Sequence, residues 1–269
     1  MAASIFAAAT IVLVALVLSF TLNPAAGDTA TYDDPLDRFP SDDRAQGSGQ
    51  VIEGAPDVGR NLERFLPFVV SDVQSFWAHE FRRAGLEYRP ARVVVFDRAV
   101  VTACGPASSE TGPFYCPADT TVYLDPGFFR ELAVEFRAPG DFAQAYVIAH
   151  EIGHHVQTLT GITQQVTLMM RRDPENRNEW SIRLELQADC LAGVWGHSTY
   201  ERGLLERGDL DEALRAAAAV GDDRIQRRTM GRVDPENWTH GSAEQRRTWY
   251  LRGFQDGDPN ACDTFADAA

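Results

Sequence analysis

The run His150-Glu151-Ile152-Gly153-His154 sets two imidazoles four residues apart, with a carboxylate beside the first. On a helix both rings project from one face and can hold a single metal ion. Glu151 then faces a water on that ion and can take its proton. Five residues thus specify a zinc site, an activated water and a base. Two histidines still leave a catalytic zinc one protein ligand short, and the third has to come from another element packed against the first.

Glu185-Leu186-Gln187-Ala188-Asp189-Cys190-Leu191 offers that ligand. Glu185 and Asp189 share one helical face in an otherwise apolar stretch, where a carboxylate is costly unless a cation satisfies it. Glu185 reads as the third ligand and Asp189 as the acceptor of the remaining ring N–H of a zinc histidine. The converse assignment of the pair, or a solvated or ion-paired helix face, stays open. His240, in Thr239-His240-Gly241 just before a helix start, is a candidate donor to a tetrahedral oxyanion. Backbone amides and a positive dipole end favour an anion there. The alternative is a histidine that only caps its own helix or packs structurally. His155 points about 100° away from the ligand face and reads as structural. His79 and His197 read as ordinary.

Helices must position these groups, and the sequence predicts them over 57–84, 128–136 (a short one), 142–160, 180–200, 211–227 and 242–256. Pro67 either kinks the first or marks its start, and a Ser242–Gln245 capping box opens the last. β-branched runs at 92–97 and 120–125 predict two strands, so the class is α+β, mostly helical with a small sheet.

The net charge of -14 across 269 residues, with a pI near 4.8, argues against nucleic acid as a partner. All side-chain cations are arginines, since no lysine occurs. Residues 2–22 carry no charge and are long enough to span a bilayer, so 1–22 reads as a transmembrane or signal-anchor segment. A signal peptide cleaved near Pro24-Ala25-Ala26 is the alternative. Residues 23–50 hold Asp28, Asp33, Asp34, Asp37, Asp42 and Asp43 among prolines, glycines and serines, an acidic flexible linker. The folded domain is expected over 51–269. Four cysteines fit an exported domain with two disulfides, and four allow three connectivities. Cys104 and Cys116 bracket a short loop and make the least costly pair, which leaves Cys190 with Cys262; four free thiols are the alternative. No C-x-x-C spacing supports a zinc site built of cysteines.

Several longer strings carry a resemblance to a family. They are Gly112-Pro113-Phe114-Tyr115-Cys116-Pro117-Ala118-Asp119, Val122-Tyr123-Leu124-Asp125, Ala149 through Gln157 around the histidine motif, Glu185 through Cys190, and Thr239 through Arg246. Together they resemble the gluzincin group of zinc peptidases, and more specifically a bacterial family of neutral zinc metallopeptidases. That resemblance implies a zincin-like domain, one Zn2+, a protein or peptide substrate and an N-terminal membrane segment. The catalytic domain is then extracytoplasmic, on a single-pass anchor or secreted after signal cleavage. By analogy with zincins, residues 121–125 would form an edge strand beside the cleft, able to pair with an extended peptide. Tyr115 and Tyr123 would lie in or near that cleft. The expected reaction is peptide-bond hydrolysis with Glu151 as general base. A catalytically silent, zinc-stabilised peptide-binding or scaffolding module and a zinc hydrolase such as a cell-wall amidase are the competing readings.

Overall fold

The segment from Phe142 to Gln157 carries Phe142, Ala145, Ile148, Ala149, Ile152 and Val156 on one broad face, and a helix formed there has to bury that face against other elements. In the computed structural model, which describes residues 62–266, it is enclosed on several sides. The order is α1 (Leu62–Arg83), β1 (Arg92–Val95), β2 (Ala99–Thr102), β3 (Gly105–Ser108), β4 (Phe114–Cys116) and β5 (Thr121–Leu124). Then follow α2 (Pro126–Val134), α3 (Asp141–Leu159), α4 (Ile162–Arg172), α5 (Arg177–Glu201), α6 (Asp209–Ala219), α7 (Asp222–Met230) and α8 (Ala243–Asp256). The fold is α+β, mostly helical with a small sheet. The expected membrane segment, the acidic linker and residues 51–61 lie outside the described residues. Among the described residues no helix is long and apolar enough to cross a membrane.

Helix α3 carries the histidine motif and packs on α1, α5, α6 and β4. Its approach to α5 is set by Gly153, where an added Cβ would lie 3.0 Å from the Ala188 carbonyl oxygen. Helices α5 and α8 come closer still. A Cβ on Gly193 would sit 2.0 Å from the Tyr250 carbonyl oxygen, and one on Gly253 1.9 Å from that of Cys190. Only glycine leaves room for backbone against backbone at this crossing, and the crossing brings the first turns of α8 beside the middle of α5.

Helix α1 runs unbroken past Pro67, which is exposed. Its Asp72 ties it to α5, accepting from the Trp195 indole N–H at 2.9 Å and pairing with Arg202 at 2.6 Å. The predicted helix over 211–227 is two helices, α6 and α7, separated at Val220-Gly221. At Gly221 a Cβ would come within 2.4 Å of the Ala243 nitrogen, so the chain turns there against the start of α8. Helix α4 lies where no helix was predicted. The capping box at Ser242 is present in full, with Gln245 donating its backbone N–H to the Ser242 hydroxyl at 3.1 Å.

In the three-stranded sheet the order is β1-β5-β4, with β5 parallel to β1 and antiparallel to β4. Every β5 residue is buried. The expected edge position of 121–125 is therefore corrected: that run contains the central strand, buried on both faces. The edge strand packed on α3 is β4, too short to register as a β run. Strands β2 and β3 form a separate antiparallel hairpin. A disulfide joins Cys104, in the turn of that hairpin, to Cys116 of β4. A second joins Cys190 of α5 to Cys262 in the 3-10 turn Pro259–Cys262, so both expected pairings are formed.

Gly253→Ala should destabilise the fold by about 1–3 kcal/mol or more, because overpacking at this contact has to push α5 and α8 apart. Urea denaturation checks it, and an unchanged midpoint would contradict the close approach.

Candidate metal centre

His150 and His154 stand one turn apart on α3, and Glu185 reaches the same space from α5. His150 Nε2 lies 3.2 Å from Glu185 Oε2, and His154 Nε2 lies 3.3 Å from Glu185 Oε1. The three ligand atoms fall within 4.8 Å of one another. Glu185 is the carboxylate turned toward the ε nitrogens, whereas Asp189, one turn on, sits behind His150. Burial opposes ionisation of Glu185, but the two histidines outweigh it and hold its pKa well below the usual carboxylate range.

Both rings are oriented from behind. His150 Nδ1–H donates to Asp189 Oδ1 at 2.9 Å. His154 Nδ1–H donates to Gln157 Oε1 at 2.8 Å. The Gln157 amide is fixed in turn, since its Nε2 donates to the Leu184 carbonyl at 2.8 Å and to Gln187 Oε1 at 3.0 Å. Gln187 donates to the Cys262 carbonyl at 3.0 Å, which connects this chain of amides to the Cys190–Cys262 disulfide. With both δ nitrogens acting as donors, the ε nitrogens are the ones left for a metal at the point that Glu185 faces. Two imidazole nitrogens and one carboxylate oxygen, with the remaining side open to a cleft, are a donor set that suits a catalytic zinc.

That cleft, about 600 Å³, is lined by Glu151, His240 and Arg246 as well as by the three candidate ligands. Burial pushes the Glu151 carboxyl above its ordinary pKa, with His150 and His154 opposing. Phe114 and Tyr115 of β4 line it as well, and Phe128, Phe136 and Ile225 supply apolar wall. A groove of about 1000 Å³ between α1 and β1, lined by Leu66, Val70 and Val93 among others, has no charged residue in its lining.

His240 belongs to the loop before α8, and Asp222, the first residue of α7, holds that loop. One Asp222 oxygen accepts backbone N–H groups from Thr239 at 2.7 Å, His240 at 2.6 Å and Gly241 at 3.0 Å. Its other oxygen faces His240 Nδ1 at 3.2 Å. The hydrogen bond that His240 donates to Asp222 raises the His240 pKa against the effect of burial. His155, expected to be structural, lies off the ligand face. Its Nε2–H donates to the Arg89 carbonyl at 2.6 Å, so its Nδ1 accepts from the Tyr115 hydroxyl at 3.0 Å. It thereby fastens β4 to α3. His197 donates from Nδ1 to the Phe254 carbonyl at 2.7 Å, an ordinary contact between α5 and α8. Tyr123 donates to Asp119 at 2.9 Å and is no part of the cleft lining.

Four residues of this arrangement were not singled out from the sequence: Tyr146, Gln157, Asp222 and Arg246. Spacing held a signal for two of them. Tyr146 precedes His150 by one turn and Gln157 follows His154 by three residues, so each shares a face with the ligand it supports.

Exchanging the two acidic side chains tests this geometry. Glu185→Gln should cost more zinc affinity than the about 10–100-fold expected of Asp189→Asn, a residue that acts through a histidine. Chelator competition measures both, and the reverse order would give Asp189 the ligand's part.

The profile of the family described as "Putative neutral zinc metallopeptidase" matches residues 6–265, and the chain belongs to that family. It is similar to "Uncharacterized protein YpfJ" of Escherichia coli, 47% identical over 203 residues, covering 75% of this chain and 71% of that one. It is also similar to "Uncharacterized protein Rv2575" of Mycobacterium tuberculosis, 49% identical over 192 residues, covering 67% of this chain and 64% of that one. No solved structure matches.

Proposed function

We infer that this member of the neutral zinc metallopeptidase family is a zinc-dependent peptidase, with His150, His154 and Glu185 as ligands and Glu151 as general base. The convergence of both ε nitrogens and the Glu185 carboxylate on one point, in a cleft also lined by Glu151, carries the reading.

Zinc held there supplies Lewis acidity to a water nucleophile and to the substrate carbonyl. Glu151, whose pKa burial raises, accepts the proton of the water and returns it to the leaving amine. His240 in its protonated form keeps Nδ1–H on Asp222 and offers Nε2–H to the developing oxyanion. Strand β4 pairs with β5 on one side only, so its other edge can hold an extended peptide by backbone hydrogen bonds. A module that only held peptides would have no use for a buried carboxylate at position 151. We place the domain outside the cytoplasm, tethered through residues 1–22, and two disulfides support an oxidising compartment.

Glu151→Gln in the full-length protein should lower the cleavage rate of an unfolded protein substrate by about 10²–10⁴-fold while bound zinc is unchanged. Equal cleavage by both proteins would remove Glu151 as the base. Zinc binding with no cleavage of any peptide in a broad library would favour the silent module.

The His240–Asp222 pair gives a pH test. Asp222 raises the His240 pKa, so the donor form persists to higher pH and activity falls as pH climbs through that pKa. Asp222→Asn should therefore move the alkaline limb of the kcat/KM profile to lower pH. An alkaline limb at the same pH in both proteins would argue that His240 is not the donor.

A further inference from the structure

Arg246 is the only buried arginine among the described residues. Its side chain is 4% exposed, and it grips Asp189 with two donors. Nε lies 2.8 Å from Asp189 Oδ2 and Nη2 lies 2.9 Å from Asp189 Oδ1. The same Nη2 is 3.2 Å from the Tyr146 hydroxyl, which itself donates to Asp189 Oδ1. It is also 3.4 Å from each ring nitrogen of His150 and 3.8 Å from Glu185 Oε2. Nη1 donates to the Val220 carbonyl at 3.3 Å.

This guanidinium therefore touches, or stands one atom behind, every group that orients His150. A carboxylate held by a single hydrogen bond can rotate about its last torsion, and the imidazole it supports can rotate with it. A planar fork on both oxygens removes that freedom, which a lysine ammonium cannot do. Two buried carboxylates, Glu151 and Asp189, and the half-buried Glu185 crowd the candidate site, and Arg246 is the fixed cation set against them. It lies in the first turn of α8, just after the loop that carries His240. One side chain thus joins the part of the cleft that bears His240 to the part that bears the ligands.

We propose that Arg246 is a positioning residue of the metal centre: by clamping Asp189 it fixes the ring of His150 with Nε2 toward the metal, and it keeps the His240 loop in register with the ligands. The inference rests on His150, His154 and Glu185 being the zinc ligands.

The test uses the full-length protein with zinc alone and with cobalt(II) alone as probes. Arg246→Met should weaken zinc binding in chelator competition by about 10–100-fold, the range for residues that support a ligand. It should also alter the visible absorption of the cobalt-loaded protein, while the far-ultraviolet circular dichroism stays native. Arg246→Lys, which restores charge without the fork, should fall between Met and wild type. In an Asp189→Asn background, Arg246→Met should cost little more, because the path to His150 is already cut.

Unchanged zinc affinity and cobalt spectrum in folded Arg246→Met would overturn the proposal. Equal losses in both backgrounds would overturn it too, because Arg246 would then not act through Asp189. Should Arg246→Met alone fail to fold, Arg246→Lys decides: a reduced affinity with a changed cobalt spectrum supports the proposal, and wild-type values overturn it. A wild-type protein that binds no zinc would overturn the metal reading itself, and this inference with it.

Discussion

Asp189 has no exposed surface, and α3, α5 and α8 meet around it. A buried carboxylate is tolerable only when its oxygens are fully engaged. Here His150, Tyr146 and Arg246 engage both. Tyr146 and His150 come from α3, Asp189 from α5 and Arg246 from α8, so the three helices are compatible in only one relative placement. The glycines at the crossings meet the steric side of the same demand. Gly153 lies against Ala188 and Gly253 against Cys190, the two chain neighbours of Asp189. Polar satisfaction and backbone proximity are therefore a single constraint, and the orientation of His150 follows from it.

The two histidines are held by different chemistry. Behind His150 is an ionic cluster that spans three helices. Behind His154 is a neutral series of amides, Gln157 to Gln187 to the Cys262 carbonyl, anchored where a disulfide fastens the C-terminal segment to α5. Cys190 directly follows Asp189, so the disulfide and the carboxylate leave neighbouring positions of one helix and support different ligands. Both arrangements engage the δ nitrogen as a donor and so leave the ε nitrogen as the one available to a metal.

The histidine motif and Glu185 were legible because helical periodicity is rigid: residues one turn apart share a face, and a carboxylate in an apolar run demands a cation. Both disulfides followed from loop length and the single pairing that remained. What stayed illegible depends on contacts distant in sequence. Arg246 looks like any arginine on a polar helix until α8 crosses α5. Asp222 becomes the anchor of the His240 loop only because the chain breaks at Gly221, where a continuous apolar period suggested one helix. Strand β5 was recognised but given the wrong place in the sheet. Burial of its Thr121 and Tyr123 along with Val122 and Leu124 comes only from the packing, and its edge partner β4, only a few residues long, carries no periodic signal.

The cleft takes its shape from two walls that are referred to the same helix. On one wall, the hydrogen bonds of His155 to Tyr115 and to the Arg89 carbonyl fix β4 against α3. On the other, Asp222 holds the His240 loop, and Arg246 ties the start of α8 to Asp189 and so to His150. His150, Glu151, His154 and His155 are near neighbours on α3, so the two candidate histidine ligands, the proposed base and the anchor of β4 share one helix. An extended chain along β4 would be positioned relative to Glu151 by packed elements and not by a free loop, which is the condition under which a water and a carbonyl can be aligned to a fraction of an ångström.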